Sequence, residues 1–138
     1  MKKEISIPSV RSNIRLVEYF VLELNDALSL DESVLDRIMI CITEVVNNAI
    51  IHGNGADEKK QVHLSCTCYE DRLDFLVRDE GSGFHPDNLP DPLDENNLLK
   101  EGGRGVLIIR AMMDAVEFRS SEQGMEVFLS IRRAPATY

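Results

Sequence analysis

Apolar residues recur along this chain with two different periods, and the change of period divides it into elements. Glu4-Ile5-Ser6-Ile7 alternates as a strand does, and Pro8 stops it. Val10, Ile14, Val17, Val21, Leu24 and Leu28 then keep a helical period, with Ser9 as the expected N-cap. A polar break over residues 29–33 separates this helix from a second, for which Asp31 is the expected N-cap, its charge suited to the positive end of the helix dipole. At about 100° per residue, Ile38, Ile42, Val45, Val46 and Ala49 form one broad stripe on the second helix. Ile40, Cys41 and Ile51 make that helix apolar nearly all round, so it is expected to be well covered. Gly53-Asn54-Gly55-Ala56-Asp57 stops it, with glycine expected to supply the left-handed residue that C-caps favour.

Beyond residue 60 the period drops to two. Val62, Leu64, Cys66 and Cys68 share one face of a strand, and Leu73, Phe75 and Val77 share one face of the next, with a turn at Glu70-Asp71-Arg72 between them. Periodicity is lost over residues 80–101, where Pro86, Pro90 and Pro92 lie between glycines, and a connection of that length is expected to be a lid or binding loop. An apolar helix over residues 106–113 and two strands over 115–119 and 125–132, turned at Ser121-Glu122-Gln123-Gly124, complete the chain. The order strand, two helices, two strands, lid, helix, two strands predicts one α+β domain over residues 1–138. It is a two-layer sandwich, a mixed but mostly antiparallel sheet covered on one face by about three helices.

Composition narrows the possible partners. The chain holds 24 acidic against 15 basic residues, a net charge of −9, which argues against a nucleic-acid backbone or an anionic membrane as the main partner. No apolar run reaches the ~20 residues of a membrane span and no signal-peptide core is visible at the N-terminus, so a cytoplasmic protein is expected. Three cysteines, an odd count, favour free thiols. A zinc site built from Cys66, Cys68 and His63 is disfavoured, because His63 belongs to the opposite strand face.

Against this pattern a few polar residues stand out. Glu44 and Asn48, one helical turn apart, sit together at the edge of the apolar stripe. They are either its solvent edge or the lining of a pocket, since a carboxylate left buried and unpaired costs several kcal/mol. By the period of two, Asp79 falls on the face of Leu73, Phe75 and Val77; it either ends the strand pointing inward or belongs to a turn before Gly81. In Asp79-Glu80-Gly81-Ser82-Gly83-Phe84, two glycines would let a ligand approach the backbone, and a carboxylate suits an exocyclic amine such as that of adenine. Gly102-Gly103-Arg104-Gly105 precedes a helix whose free N–H groups suit phosphates, with Lys100 and Arg104 as nearby cations. Asn48 offers a neutral oxygen to magnesium, and Glu44 is close enough to act as a general base. His52 is read as a helix-end residue, and Arg37 as a salt-bridge or dimer residue.

Taken together, Glu44-Val45-Val46-Asn47-Asn48-Ala49, the Asp79 to Phe84 stretch, and Gly103-Arg104-Gly105 before an apolar helix resemble the three sequence boxes of the GHKL (Bergerat-fold) ATP-binding superfamily. His52-Gly53 and Leu107-Ile108-Ile109-Arg110-Ala111-Met112-Met113-Asp114 look most like its anti-sigma-factor serine/threonine kinases from bacterial partner-switching systems. The resemblance covers nearly the whole chain and implies ATP and Mg2+ as cofactors. It implies Glu44 as catalytic base toward a serine hydroxyl, Asn48 as magnesium ligand, and Asp79 as the adenine-recognising carboxylate, with Gly81 and Gly83 beneath the base. Gly103, Arg104 and Gly105 would then form the phosphate turn, with Lys100 beside it. The implied partners are a sigma factor and a STAS-domain antagonist, and the implied assembly is a homodimer. The lid departs from a comfortable phosphate site, because Asp87, Asp91, Asp94, Glu95 and Glu101 surround Lys100, its single lysine. Two other readings remain: a nucleotide-dependent switch without significant kinase activity, and a detached histidine-kinase catalytic domain.

Overall fold

A computed structural model describes residues 1–81 and 105–134. The sheet has the order β1-β2-β3-β5-β4, formed by β1 (Lys2–Pro8), β2 (Gln61–Cys68), β3 (Arg72–Arg78), β4 (Ala115–Ser121) and β5 (Gly124–Arg132). Every pairing is antiparallel. Among the described residues three α-helices, α1 (Ile14–Leu28), α2 (Glu32–Asn48) and α3 (Gly105–Met112), cover one face, as the α+β two-layer reading expects. No described helix is long and apolar enough to cross a membrane.

Strand alternation decides which residues meet the helices. Ile5 and Ile7, then Val62, Leu64 and Cys66, then Leu73, Phe75 and Val77, then Val127, Leu129 and Ile131 point toward the helical layer. They pack there against Val17, Phe20, Val21 and Leu24 of α1 and the Ile38, Ile42, Val45, Val46 stripe of α2. The helix-facing position Lys3 on edge strand β1 is accommodated by a salt bridge to Glu23 of α1, its ammonium lying 5.4 Å from the Phe20 ring centroid. The other sheet face is covered by no described element, and polar cross-strand pairs such as Ser130 to Asp74, 2.7 Å, line it.

Several boundaries differ from the sequence expectation for identifiable reasons. Ser9 does not cap α1: it is fully buried, and its hydroxyl donates to Lys60 O at 2.7 Å, so a 3-10 turn (Arg11–Asn13) comes before the helix and Val10 stays outside the buried stripe. Asp31 does precede α2, but its side chain makes no cap hydrogen bond. Ile40 is 44% exposed, so α2 is covered on fewer sides than its apolar content suggests. A glycine does supply the left-handed conformation expected where the helix stops, but it is Gly55 (φ 61°), followed by Ala56 (φ 54°), because α2 first continues through a π-helical turn (Ala49–Gly53).

Candidate functional site

That π-helical turn is the first local feature that builds the site. A wider turn advances fewer degrees per residue, so Gly53 comes back toward the helix side that carries Glu44 and Asn48. The turn is closed by Asn54 N–H donating to Ala49 O at 2.8 Å. Gly53 then faces the end of β3, where a Cβ at position 53 would overlap Oδ2 of Asp79 and approach its Cγ to 2.6 Å. Only glycine lets the backbone come this close.

Asp79 continues the β3 alternation past the last paired residue, so its carboxylate is carried toward the helical layer and is 6% exposed. Its backbone N–H donates to Met125 O at 3.1 Å, and its Oδ1 accepts from Met125 N–H and from Gly81 N–H, both at 3.0 Å. Oδ2 accepts no hydrogen bond from any described residue and lies against Gly53. A mostly buried carboxylate whose Oδ1 is held by two N–H groups, with Oδ2 bonded by none of the described residues, suits a ligand that brings its own N–H donor, as an exocyclic amine does. The inward alternative for Asp79 is therefore the one realised.

Glu44 and Asn48 are half-buried at the edge of the α2 stripe. Asn48 Nδ2 approaches Glu44 Oε1 at 3.4 Å, which turns the Asn48 amide so that its oxygen is bonded by none of the described residues. Gly105, the first residue of α3, packs directly on Glu44, and a Cβ there would overlap Oε1. The start of α3 is thus set over the carboxylate, with the helix N–H groups at that end. A neutral amide oxygen beside a carboxylate and a helix N-terminus is a donor set that fits magnesium and phosphate oxygens. Gly81, Gly105, Asp79, Glu44 and Asn48 lie among the described residues; the lid from residue 82 onward, with Gly83, Lys100, Gly103 and Arg104, lies outside them.

Two residues of the site were read from sequence only as turn chemistry. Gly124 (φ 133°) sits where a Cβ would be 2.6 Å from Asp79 O and 2.7 Å from Oδ1, so the β4–β5 turn needs glycine both for its backbone and for the close passage of Asp79. Asn54 is 3% exposed and bonds Ser9, Gln61 and the backbone of Glu80. The Gly-Asn-Gly pattern reads as a turn, and burial of its asparagine has no local signal. A cavity of about 280 Å³ bordered by Arg78, Glu80, Ser121, Gln123 and Glu126 also adjoins Asp79, but it belongs to the sheet face away from the helices and does not include Glu44 or Asn48.

On that face His63 Nε2 meets Glu80 Oε2 at 2.6 Å and its Nδ1 meets Ser6 Oγ at 2.7 Å, which places His63 opposite Cys66 and Cys68 as alternation requires. The Gln61 N–H and then His63 hold the Glu80 carboxyl below its ordinary pKa of 4.5. Because the folded value is depressed, this contribution is present above pH 4.5 and lost as pH falls through the lowered value. Acid unfolding followed by circular dichroism should therefore show Glu80→Gln losing less stability than wild type below that pH. Burial raises the Cys41 thiol to about 11 and pushes Cys66 higher still, so neither is a ready nucleophile.

Residues 7–131 match the model of the histidine kinase-like ATPase domain. The anti-sigma F factor of Oceanobacillus iheyensis is 31% identical over 135 residues, covering 94% of this chain and 92% of that protein. The serine-protein kinase RsbW of Halalkalibacterium halodurans is 30% identical over 122 residues, covering 84% of this chain and 74% of that one. Among solved structures, the RsbU and RsbW domains of a Mycobacterium tuberculosis protein superpose with a TM-score of 0.72 at 18% identity, covering 100% of this chain and 34% of the larger one. That likeness concerns the fold.

Proposed function

From the premise that the chain belongs to the histidine kinase-like ATPase domain family, we propose that it is an ATP-dependent serine/threonine protein kinase acting as an anti-sigma factor. It sequesters a sigma factor and phosphorylates a STAS-domain antagonist. The observation that carries this reading is the placement of Glu44. A carboxylate half-buried on α2, beside Asn48 and under the first residue of α3, stands where a phosphate-binding helix end and a metal ligand would meet a substrate hydroxyl. The names of the two relatives, an anti-sigma F factor and a serine-protein kinase, support the same assignment.

Each residue then has one task. Asp79 accepts the adenine amine on Oδ2, held in place by the Met125 and Gly81 N–H groups, while Gly53, Gly81 and Gly83 allow the base to approach. Asn48 would hold Mg2+ through its amide oxygen, and the ion would supply charge neutralisation for the phosphates. Gly103, Arg104 and Gly105, with Lys100, receive the phosphates at the start of α3. Glu44 takes the proton from the substrate hydroxyl as the phosphoryl group moves in line, a reaction that depends on positioning and charge neutralisation. The lid spans residues 80–103 of a single domain over residues 1–138.

Incubation with γ-labelled ATP and candidate STAS-domain proteins is the test. Magnesium-dependent transfer to a serine or threonine, giving an acid-stable phosphoester, is expected; ATP binding without transfer would leave a nucleotide-dependent switch. The proposal includes a cytoplasmic homodimer, supported by Leu16, Tyr19 and Leu22, exposed at helical spacing on α1. Light scattering of wild type should give twice the chain mass, and Tyr19→Glu should lower it toward that of a monomer.

A further inference from the structure

Asn54 joins the end of α2 to the segment carrying Asp79, the first through its backbone and the second through its side chain. It follows directly on the π-helical turn, to which its own N–H is tied through Ala49 O. Its Nδ2 donates to Ser9 Oγ at 2.8 Å and Gln61 O at 3.0 Å, and its Oδ1 accepts the Glu80 N–H at 2.7 Å. A buried amide is retained only where its groups are satisfied, and here all three bonds join different parts of the chain. Glu80 is fixed a second time through its carboxylate, which accepts the Gln61 N–H at 3.1 Å.

The consequence reaches the carboxylate next door. Asp79 is bonded toward β5 through Met125, while Glu80 is bonded toward the end of α2 through Asn54. The peptide between them is thus held from both sides, toward β5 by Asp79 and toward the end of α2 by Glu80. We infer that Asn54 is a positioning residue for nucleotide recognition: through the Glu80 N–H it sets the place of the Asp79 carboxylate, and with it the preference for a base that presents an amine. This rests on the nucleotide-binding reading above.

Titration calorimetry of the full chain with MgATP and with MgITP, whose base carries a carbonyl where adenine has its amine, separates positioning from simple stabilisation. Asn54→Ala removes the acceptor for Glu80 N–H and should weaken ATP about tenfold while changing ITP less than about twofold, so the preference for ATP shrinks. Asn54→Asp keeps that acceptor but loses both donors. It should lose as much in Tm as Asn54→Ala and still prefer ATP as wild type does. Equal weakening of both nucleotides by Asn54→Ala, or an unchanged preference, would overturn the inference. Should Asn54→Ala not fold, the aspartate variant decides alone, since loss of its ATP preference is the opposite of what is expected. Wild type binding no ATP would sink the nucleotide reading itself, a different outcome from wild type binding ATP with Asn54→Ala unaltered.

Discussion

Glu44→Gln should bind MgATP within a few-fold of wild type and transfer its phosphoryl group about 10² to 10⁴ times more slowly. Glutamine keeps the length and shape of glutamate and still offers an oxygen to Asn48 Nδ2, now 3.4 Å from Glu44 Oε1, so the local packing under Gly105 is retained. What it loses is the ability to take a proton. The expected loss corresponds to roughly 3–6 kcal/mol at the transition state, at about 1.4 kcal/mol per decade. The measurement is single-turnover transfer from labelled ATP to the antagonist, with ATP affinity measured separately. A rate within twofold of wild type would show that Glu44 is not the base and would favour the reading in which nucleotide only switches partner affinity. A fall in affinity equal to the fall in rate would make Glu44 a binding residue.

The hydrophobic pattern was enough for the layers and for most elements, because here each face is decided by burial. A strand such as β3 puts Leu73, Phe75 and Val77 on one side and Arg72, Asp74 and Arg78 on the other, and a one-residue slip would expose all of the first set. The same alternation carried Asp79 to the inner face. Where the pattern failed, the competing interaction was non-local. Ser9 has the chemistry of an N-cap, but Lys60 O and Asn54, far away in sequence, claim its hydroxyl, and the helix start moves on accordingly. Nothing within five residues of Ser9 announces this.

The site was legible in its residue types and illegible in its tolerances. Glu44, Asn48 and Asp79 stand out because polar groups at apolar positions need a reason. Glycines give no comparable signal, since the letter is the same whether the residue is there for a positive φ or for a close approach. Gly53 illustrates the ambiguity: at the end of a helix the left-handed cap is the ordinary reading, and only the tertiary position of Asp79 reveals the other.

That ambiguity leads to a pair of substitutions with opposite expected effects. Gly53→Ala places a methyl group against a carboxylate that the Met125 and Gly81 N–H groups hold in place, so either Asp79 or the π-helical turn must move. ATP affinity should fall between about tenfold and a hundredfold, on the order of 1.4–2.8 kcal/mol. Stability should change little, because alanine's better helix propensity, about 0.5–1 kcal/mol, offsets part of the strain. Gly55→Ala reverses the pattern. Position 55 has φ 61° and nothing within 4 Å of a built Cβ, so alanine meets no neighbour but enters the left-handed region at about 1–2 kcal/mol. Its Tm should drop by several degrees while ATP binding stays within twofold of wild type. Calorimetry of both variants with MgATP, alongside thermal melts, checks the pair. If Gly53→Ala binds ATP normally, the contact between residue 53 and the Asp79 carboxylate is not part of nucleotide recognition. If both variants lose stability alike and keep affinity, the role of Gly53 is purely conformational.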